Sequence, residues 1–268
     1  MWHYSPRSDV NLWSCSWLRR LCYPLASYEV LDVAVLADNS HFVSCGEDKA
    51  AFLWDVSTGS VVRRIQGHEQ RINSCCFSTE GSVLFTASYD KTVRAWDMRS
   101  RNRSPIQTLE GCKDSATSVS ATPTGDEVIV GCVDGKVRTY DLRAARVHED
   151  DVHAPVTHAS LSHDGNCLLA TCLGGVVRLL EKSSGAQLNT YTGHLHKNYR
   201  MESWLANTDA HVISGSEDGN VHIWDIVDAK VTRLLKHHAR PVCSISYHPS
   251  EAMLLTASYD GSAVLWGP

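Results

Sequence analysis

Gly67-His68, followed after a gap by Ala87-Ser88-Tyr89-Asp90-Lys91-Thr92-Val93-Arg94-Ala95-Trp96-Asp97, is the stretch on which the fold turns. Between its two ends the run Ile72 to Phe77 is apolar-rich and β-prone, Ser78-Thr79-Glu80-Gly81 reads as a turn, and Val83 to Ser88 as a second strand. Asp90-Lys91 turns the chain again, Thr92 to Trp96 makes a third strand and Pro105 to Leu109 a fourth. The order recurs at Cys243 to Tyr247, Met253 to Ser258 and Ser262 to Trp266.

The anchors of this pattern are Trp54, Trp96, Tyr140, Leu180, Trp224 and Trp266, spaced 42, 44, 40, 44 and 42 residues apart. Six residues before them stand Asp48, Asp90, Asp134, Gly174, Asp218 and Asp260. Gly193-His194 matches Gly67-His68, with altered forms at Gly111-Cys112, Val152-His153 and His237-His238. A period near forty residues, running from Gly-His to Trp-Asp with four strands in each repeat, is the mark of a propeller blade. The expected fold is therefore all-β: a β-propeller of six recognisable blades over residues 26–268, with 1–25 as an N-terminal segment. A lone four-stranded sheet cannot hide both faces, and stacked blades can, which explains apolar runs such as Cys167 to Cys172. The last blade has no fourth strand after Trp266, so residues 17–23 are expected to add to it and cover its edge.

Composition narrows the function. Hydrophobic residues at 43% call for a packed core, and a formal charge of -5 disfavours a protein that wraps nucleic acid. The ten cysteines are irregularly spaced without a CxxC pair, which suits reduced, buried thiols in a cytoplasmic or nuclear protein. No apolar run reaches the length of a membrane span, and Arg19-Arg20 interrupt the N-terminal apolar stretch where a signal peptide would need continuity. Arg7, Arg19, Arg20 and several serines leave a mitochondrial leader as a competing reading of that segment.

Within repeat 2, His68, Ser88, Asp90 and Trp96 are expected to form a buried hydrogen-bonded chain, Asp90 accepting from the imidazole and Ser88 bridging to the indole. Repeat 5 (His194, Ser216, Asp218, Trp224) and repeat 6 (His238, Ser258, Asp260, Trp266) carry the same set. A Ser, His and Asp trio that recurs at fixed offsets with a Trp, and without a Gly-x-Ser-x-Gly elbow, is structural and not a hydrolase triad. No catalytic residue, cofactor site or metal site is expected; the pairs His194/His196 and His237/His238 lack an acid or Cys at ligand spacing. In repeats 3 and 4 the set is eroded, with Cys112, Cys132 and Tyr140 in one and Gly174 and Leu180 in the other. Those blades are expected to rest on packing and ladder bonds and to open more easily.

Over positions 28–266 the residues resemble the WD40 family. Tyr28-Glu29-Val30-Leu31-Asp32, Gly59-Ser60-Val61-Val62-Arg63-Arg64, Val133 to Arg143 and Ser214-Gly215-Ser216-Glu217-Asp218-Gly219 look more narrowly like the mitogen-activated protein kinase organizer family. That resemblance implies a seven-bladed WD-repeat scaffold that assembles kinase-cascade components and is also found with spliceosomes. Leu12-Trp13 and the segment to Tyr23 look like the tail of a blade whose earlier strands are absent, so the ring either closes with six or is a truncated seven.

Binding residues are expected in rim loops. The positions before the turn acids are Glu47, Tyr89, Val133, Leu173, Glu217 and Tyr259, of which Glu47, Tyr89, Glu217 and Tyr259 are candidate contacts. A second candidate is the loop Met98 to Pro105, with Arg99, Arg101 and Arg103 beside a Ser104-Pro105 pair open to a proline-directed kinase. Trp96-Asp97-Met98-Arg99 and Tyr140-Asp141-Leu142-Arg143 also resemble the box with which WD proteins dock on the adaptor of cullin-type ubiquitin ligases. The reading is thus a non-catalytic scaffold, a monomeric propeller within larger assemblies of signalling kinases or spliceosomal proteins. The alternative is a ubiquitin-ligase substrate receptor that uses Arg99 and Arg143. Direct nucleic-acid or membrane binding is not expected.

Overall fold

The computed structural model describes residues 3–4, 29–100, 102–248 and 251–267. Among them every regular element is a strand, and the strands group into six four-stranded antiparallel sheets in chain order. Blade 1 is Val30–Val35, His41–Gly46, Ala50–Asp55 and Val61–Gln66; blade 2 is Ile72–Phe77, Val83–Ser88, Val93–Asp97 and Gln107–Leu109; blade 3 is Ala116–Ala121, Glu127–Cys132, Lys136–Asp141 and Arg146–Asp151. Blade 4 is Val156–Leu161, Cys167–Cys172, Val176–Glu181 and Gln187–Thr192; blade 5 is Ser203–Leu205, His211–Gly215, Asn220–Asp225 and Val231–Lys236. Blade 6 is Val242–Tyr247, Leu254–Ser258 and Ala263–Gly267, with His3–Tyr4 as the outer strand, paired to Gly267 and Trp266. Residues 17–23, the expected closing strand, lie outside the described residues. The fold class is a six-bladed β-propeller.

Two compact units part between Val156 and Thr157, the first holding blades 1 to 3 and the second blades 4 to 6. In blades 1 to 5 the second strand is buried on both faces, as at Val128, Ile129 and Val130, whereas the fourth strand is largely exposed. The core lies between sheets. Trp96 of blade 2 packs with Val43, Ala51 and Ile65 of blade 1, and Trp224 of blade 5 with Leu169, Val177 and Tyr191 of blade 4. Each such indole removes on the order of 200 Å² from water, which corresponds to about 5 kcal/mol of transfer free energy.

First strands carry a recurrent register shift, at Val30/Asp32, Ile72/Ser74, Ala116/Ser118 and Val242/Ser244. A bulge re-aims the side chain beside it, and here it reaches the next blade. Asp32 Oδ2 accepts from Ser74 Oγ (2.7 Å) and from the Cys75 amide (3.0 Å). In the second unit Ser244 Oγ donates to Glu202 Oε2 at 2.8 Å. The sheets approach so closely there that a Cβ on Gly215 would stand 2.3 Å from the Val242 carbonyl oxygen, so only glycine fits. All eight cysteines among the described residues are free thiols.

Candidate interaction rim and the networks beneath it

The blade network exists, with a different bridge from the one expected. In blade 2, Asp90 Oδ2 lies 2.8 Å from His68 Nδ1, and His68 Nε2 lies 2.8 Å from Thr86 Oγ1. The Trp96 indole N–H donates to that same Thr86 oxygen at 2.8 Å. Ser88, one strand period farther along, sits at the strand end; its hydroxyl donates to the Arg71 carbonyl and accepts from the Asp90 amide. Thr86 and Ser88 are two positions apart, about 7 Å of extended chain, so Ser88 caps the turn and cannot bridge. Blade 6 repeats the arrangement through Thr256, which bridges His238 (2.9 Å) and Trp266 (3.0 Å), while Ser258 holds the Arg240 carbonyl. Burial would push the Asp90 carboxyl up, but hydrogen bonds from His68, Thr92 and the Glu69 amide hold it well below the usual carboxylate range.

Blade 5 departs from the expected chain. Trp224 donates to the Thr192 carbonyl at 3.1 Å, and Ser216 accepts from the Leu195 amide. Asp218 is taken up by Asn220. Both ring nitrogens of buried His194 have no hydrogen-bond partner, nor have both of His222, nor Nδ1 of His196. His222, at the position of Arg94 in blade 2, stacks on Trp224 at 5.4 Å and 21°, and His194 meets the same indole edge-on at 5.4 Å. Both imidazoles thus contact the indole and lie 6.2 Å from each other, and His194 makes no hydrogen bond to the acid. Burial lowers all three histidines, His194 to about 4.

Blade 3, expected to rest on packing and ladder bonds, has a network of another kind. Arg138, whose side chain is fully buried, takes the histidine's place opposite the turn acid, with Nη2 2.7 Å from Asp134 Oδ2 and Nε 2.9 Å from Glu149 Oε1. Lys136 pairs with the same Glu149, and the Tyr140 hydroxyl donates to the Glu110 carbonyl at 3.1 Å. In blade 1 the Trp54 indole donates to Ser44 Oγ at 2.9 Å. Among the described residues no group of three or more His, Cys, Asp or Glu is arranged to hold a metal ion.

In the first unit, Glu47 is exposed and the exposed Tyr89 ring carries the Arg71 guanidinium 4.9 Å from its centroid. Val133 is half-buried. In the second unit Leu173 is half-buried, and Tyr259 is exposed against Tyr199, ring centroids 5.0 Å apart at 49°. Leu195 is exposed in the same loop as Tyr199. Glu217 is spent on structure: Oε1 accepts the amides of Lys197 (2.6 Å), Asn198 (2.6 Å) and Tyr199 (3.1 Å), a nest of consecutive N–H groups around one carboxylate. His196 Nε2 contacts the Tyr199 carbonyl at 2.9 Å. Leu195 and Tyr199 were not among the expected contacts. Their signal is length, since residues 193–202 join blades 4 and 5 where 67–71 and 237–241 suffice elsewhere.

Of the arginine candidates, Arg99 and Arg103 are exposed, while Arg101 lies outside the described residues. Arg143 is exposed but its Nε stands 2.6 Å from Asp126 Oδ1. The loop's position is set by an arginine not singled out from the sequence: Arg63 of blade 1 donates to the carbonyls of Asp97 (2.9 Å), Ser100 (2.7 Å) and Asn102.

The family model described as WD domain, G-beta repeat matches residues 22–55, 59–97, 103–141, 185–225 and 229–267. The chain belongs to the WD-repeat family. The one long interval that the WD-repeat model leaves unmatched, 142–184, contains Gly174 and Leu180, where the acid and the Trp are missing. WD repeat domain-containing protein 83 of Mus musculus is 44% identical over 271 residues, covering 85% of each chain. The protein of that name from Rattus norvegicus is 43% identical with the same coverage. A homolog from Dictyostelium discoideum is 31% identical over 268 residues, 89% of this chain and 82% of its own. WD-repeat propellers generally mediate protein–protein interaction and are generally non-catalytic.

Proposed function

We propose that this WD-repeat chain is a non-catalytic scaffold, in cytoplasm and nucleus, that assembles protein complexes of mitogen-activated protein kinase signalling or pre-mRNA splicing. The observation that carries the scaffold reading is the exposed pair Tyr199 and Tyr259, with exposed Leu195 in the same Glu217-held loop as Tyr199. Two large amphipathic rings fixed at little entropic cost are what a protein contact uses as anchors. The kinase and splicing assignment is carried over solely from the resemblance of Val133 to Arg143 and Ser214 to Gly219 to the organizer family; the relatives named WD repeat domain-containing protein 83 support the WD-repeat scaffold reading. Affinity capture of the tagged chain with mass spectrometry tests it. Kinase-cascade or spliceosomal proteins are expected, depleted by Tyr199→Ala with Tyr259→Ala; capture of neither class refutes the assignment. Capture of a cullin adaptor that is lost with Arg99→Ala and Arg143→Ala would put the substrate-receptor role in its place.

A further inference from the structure

Two Ser/Thr-Pro pairs lie among the described residues, and the fold treats them oppositely. Thr122, before Pro123, is 2% exposed, its hydroxyl engaged with Thr124 and with both the amide and the carbonyl of Glu127. Ser104, before Pro105, is exposed, and its hydroxyl and amide bond to no described residue. The loop is fastened on either side of it, by Arg63 at the Ser100 and Asn102 carbonyls and by the Ile106 amide donating to Ala95 at 2.8 Å. Residues 103–105 therefore span two anchors without contributing to any sheet, and can be drawn into an extended conformation without breaking a ladder bond. Pro105 has no amide hydrogen to lose.

We propose that Ser104 is a phosphoacceptor for proline-directed Ser/Thr kinases, and that its phosphate is held by Arg103 and Arg99 of the same loop. Ser104 Oγ attacks the γ-phosphorus of ATP. The new Oγ–P bond forms as the bond from that phosphorus to the β–γ bridging oxygen breaks, ADP leaves with the electron pair, and the hydroxyl proton passes to the kinase's base. The product brings a charge of about -1.5 to -2 to an exposed arginine-rich loop, where guanidinium groups bind phosphate through paired charge-assisted hydrogen bonds. Its effect is to occupy those arginines and withdraw them from any other anionic partner. This inference is independent of the tyrosine rim.

The full chain is incubated with a mitogen-activated protein kinase and ATP and its phosphopeptides are mapped. A phosphate on Ser104, absent from Ser104→Ala, with Thr122 unmodified, is expected; a folded chain left unmodified at Ser104 overturns the proposal. Phosphorus NMR then titrates the product. Arginines at the phosphate bring its midpoint below about 6, the free phosphoserine value, and Arg99→Gln with Arg103→Gln return it there. A midpoint already at the free value in the unsubstituted chain overturns the arginine assignment.

Discussion

Thr86 Oγ1 and the Trp96 indole nitrogen lie 2.8 Å apart, and the same oxygen meets His68 Nε2 at the same distance. One hydroxyl thus accepts from the indole and also meets one imidazole nitrogen, while the other ring nitrogen faces Asp90. Deleting it strands two buried groups at once.

Thr86→Val should therefore cost about 2–3 kcal/mol in urea unfolding, and should couple to Trp96→Phe by about 1 kcal/mol in a double-mutant cycle. Ser88→Ala, which uncaps a turn, should show much less coupling to Trp96→Phe. Equal coupling at both positions would return the bridge to Ser88.

Acid should act on blade 5. His194, His196 and His222 have folded pKa values below the unfolded value of about 6.5, so the unfolded chain takes up protons first. The stability of the neutral cluster is complete above about pH 6.5 and is lost as pH falls toward the folded value of about 4 for His194. For His194 alone this amounts to on the order of 3 kcal/mol. Urea midpoints measured at pH 7.5 and pH 5 should fall on acidification, and fall less in His194→Leu. An identical fall in that variant would rule the cluster out as its source.

Arg138→Gln should destabilise the chain by about 3–5 kcal/mol, because it leaves the largely buried Asp134 without its cation. Lys136→Gln, at the solvent edge of the same network, should cost at most about 1 kcal/mol. Hydrogen exchange should correspondingly show blade 4 opening more readily than blade 3. Similar losses at both positions would mean that the guanidinium contributes little.

Removing the carboxylate that gathers three amides should loosen the loop bearing Tyr199. In Glu217→Ala the amides of 197–199 should exchange at least tenfold faster, each having lost a charge-assisted bond of about 1.5–3 kcal/mol. Partner capture should weaken about as much as in Tyr199→Ala. Unchanged exchange would show that the loop is held by its other contacts.

The blades were legible because the Trp and Asp anchors recur at a nearly fixed interval, and that interval follows from four short strands and their turns. The bridging hydroxyl was not legible from offsets alone. Thr86 and Ser88 share a face and are both small hydroxyls, and only the register of Leu84 opposite Trp96 places the indole nitrogen over Thr86. Blade 5 misled for a related reason: its letters match, but His222 in place of Arg94 brings a second ring against the indole. Arg138 escaped notice because an arginine three residues after a turn glycine reads as solvated until its surroundings are known. Tyr259 could be named as exposed from its position before the turn acid, whereas Tyr199 depends on how a ten-residue connection folds back.

Blade 4 contains a counterpart of the Arg63 fastening, made from different groups: the Asn189 amide reaches the carbonyls of Ile226 and Val227, and the Tyr191 hydroxyl reaches that of Ile226. In both blades the outermost strand grips its successor's connecting segment by main-chain oxygens, which every residue type supplies. Such a grip is blind to spelling. The connecting segments can exchange side chains freely over evolutionary time, acquiring or shedding recognition elements such as Ser104, while the backbone that displays them stays where the preceding sheet holds it.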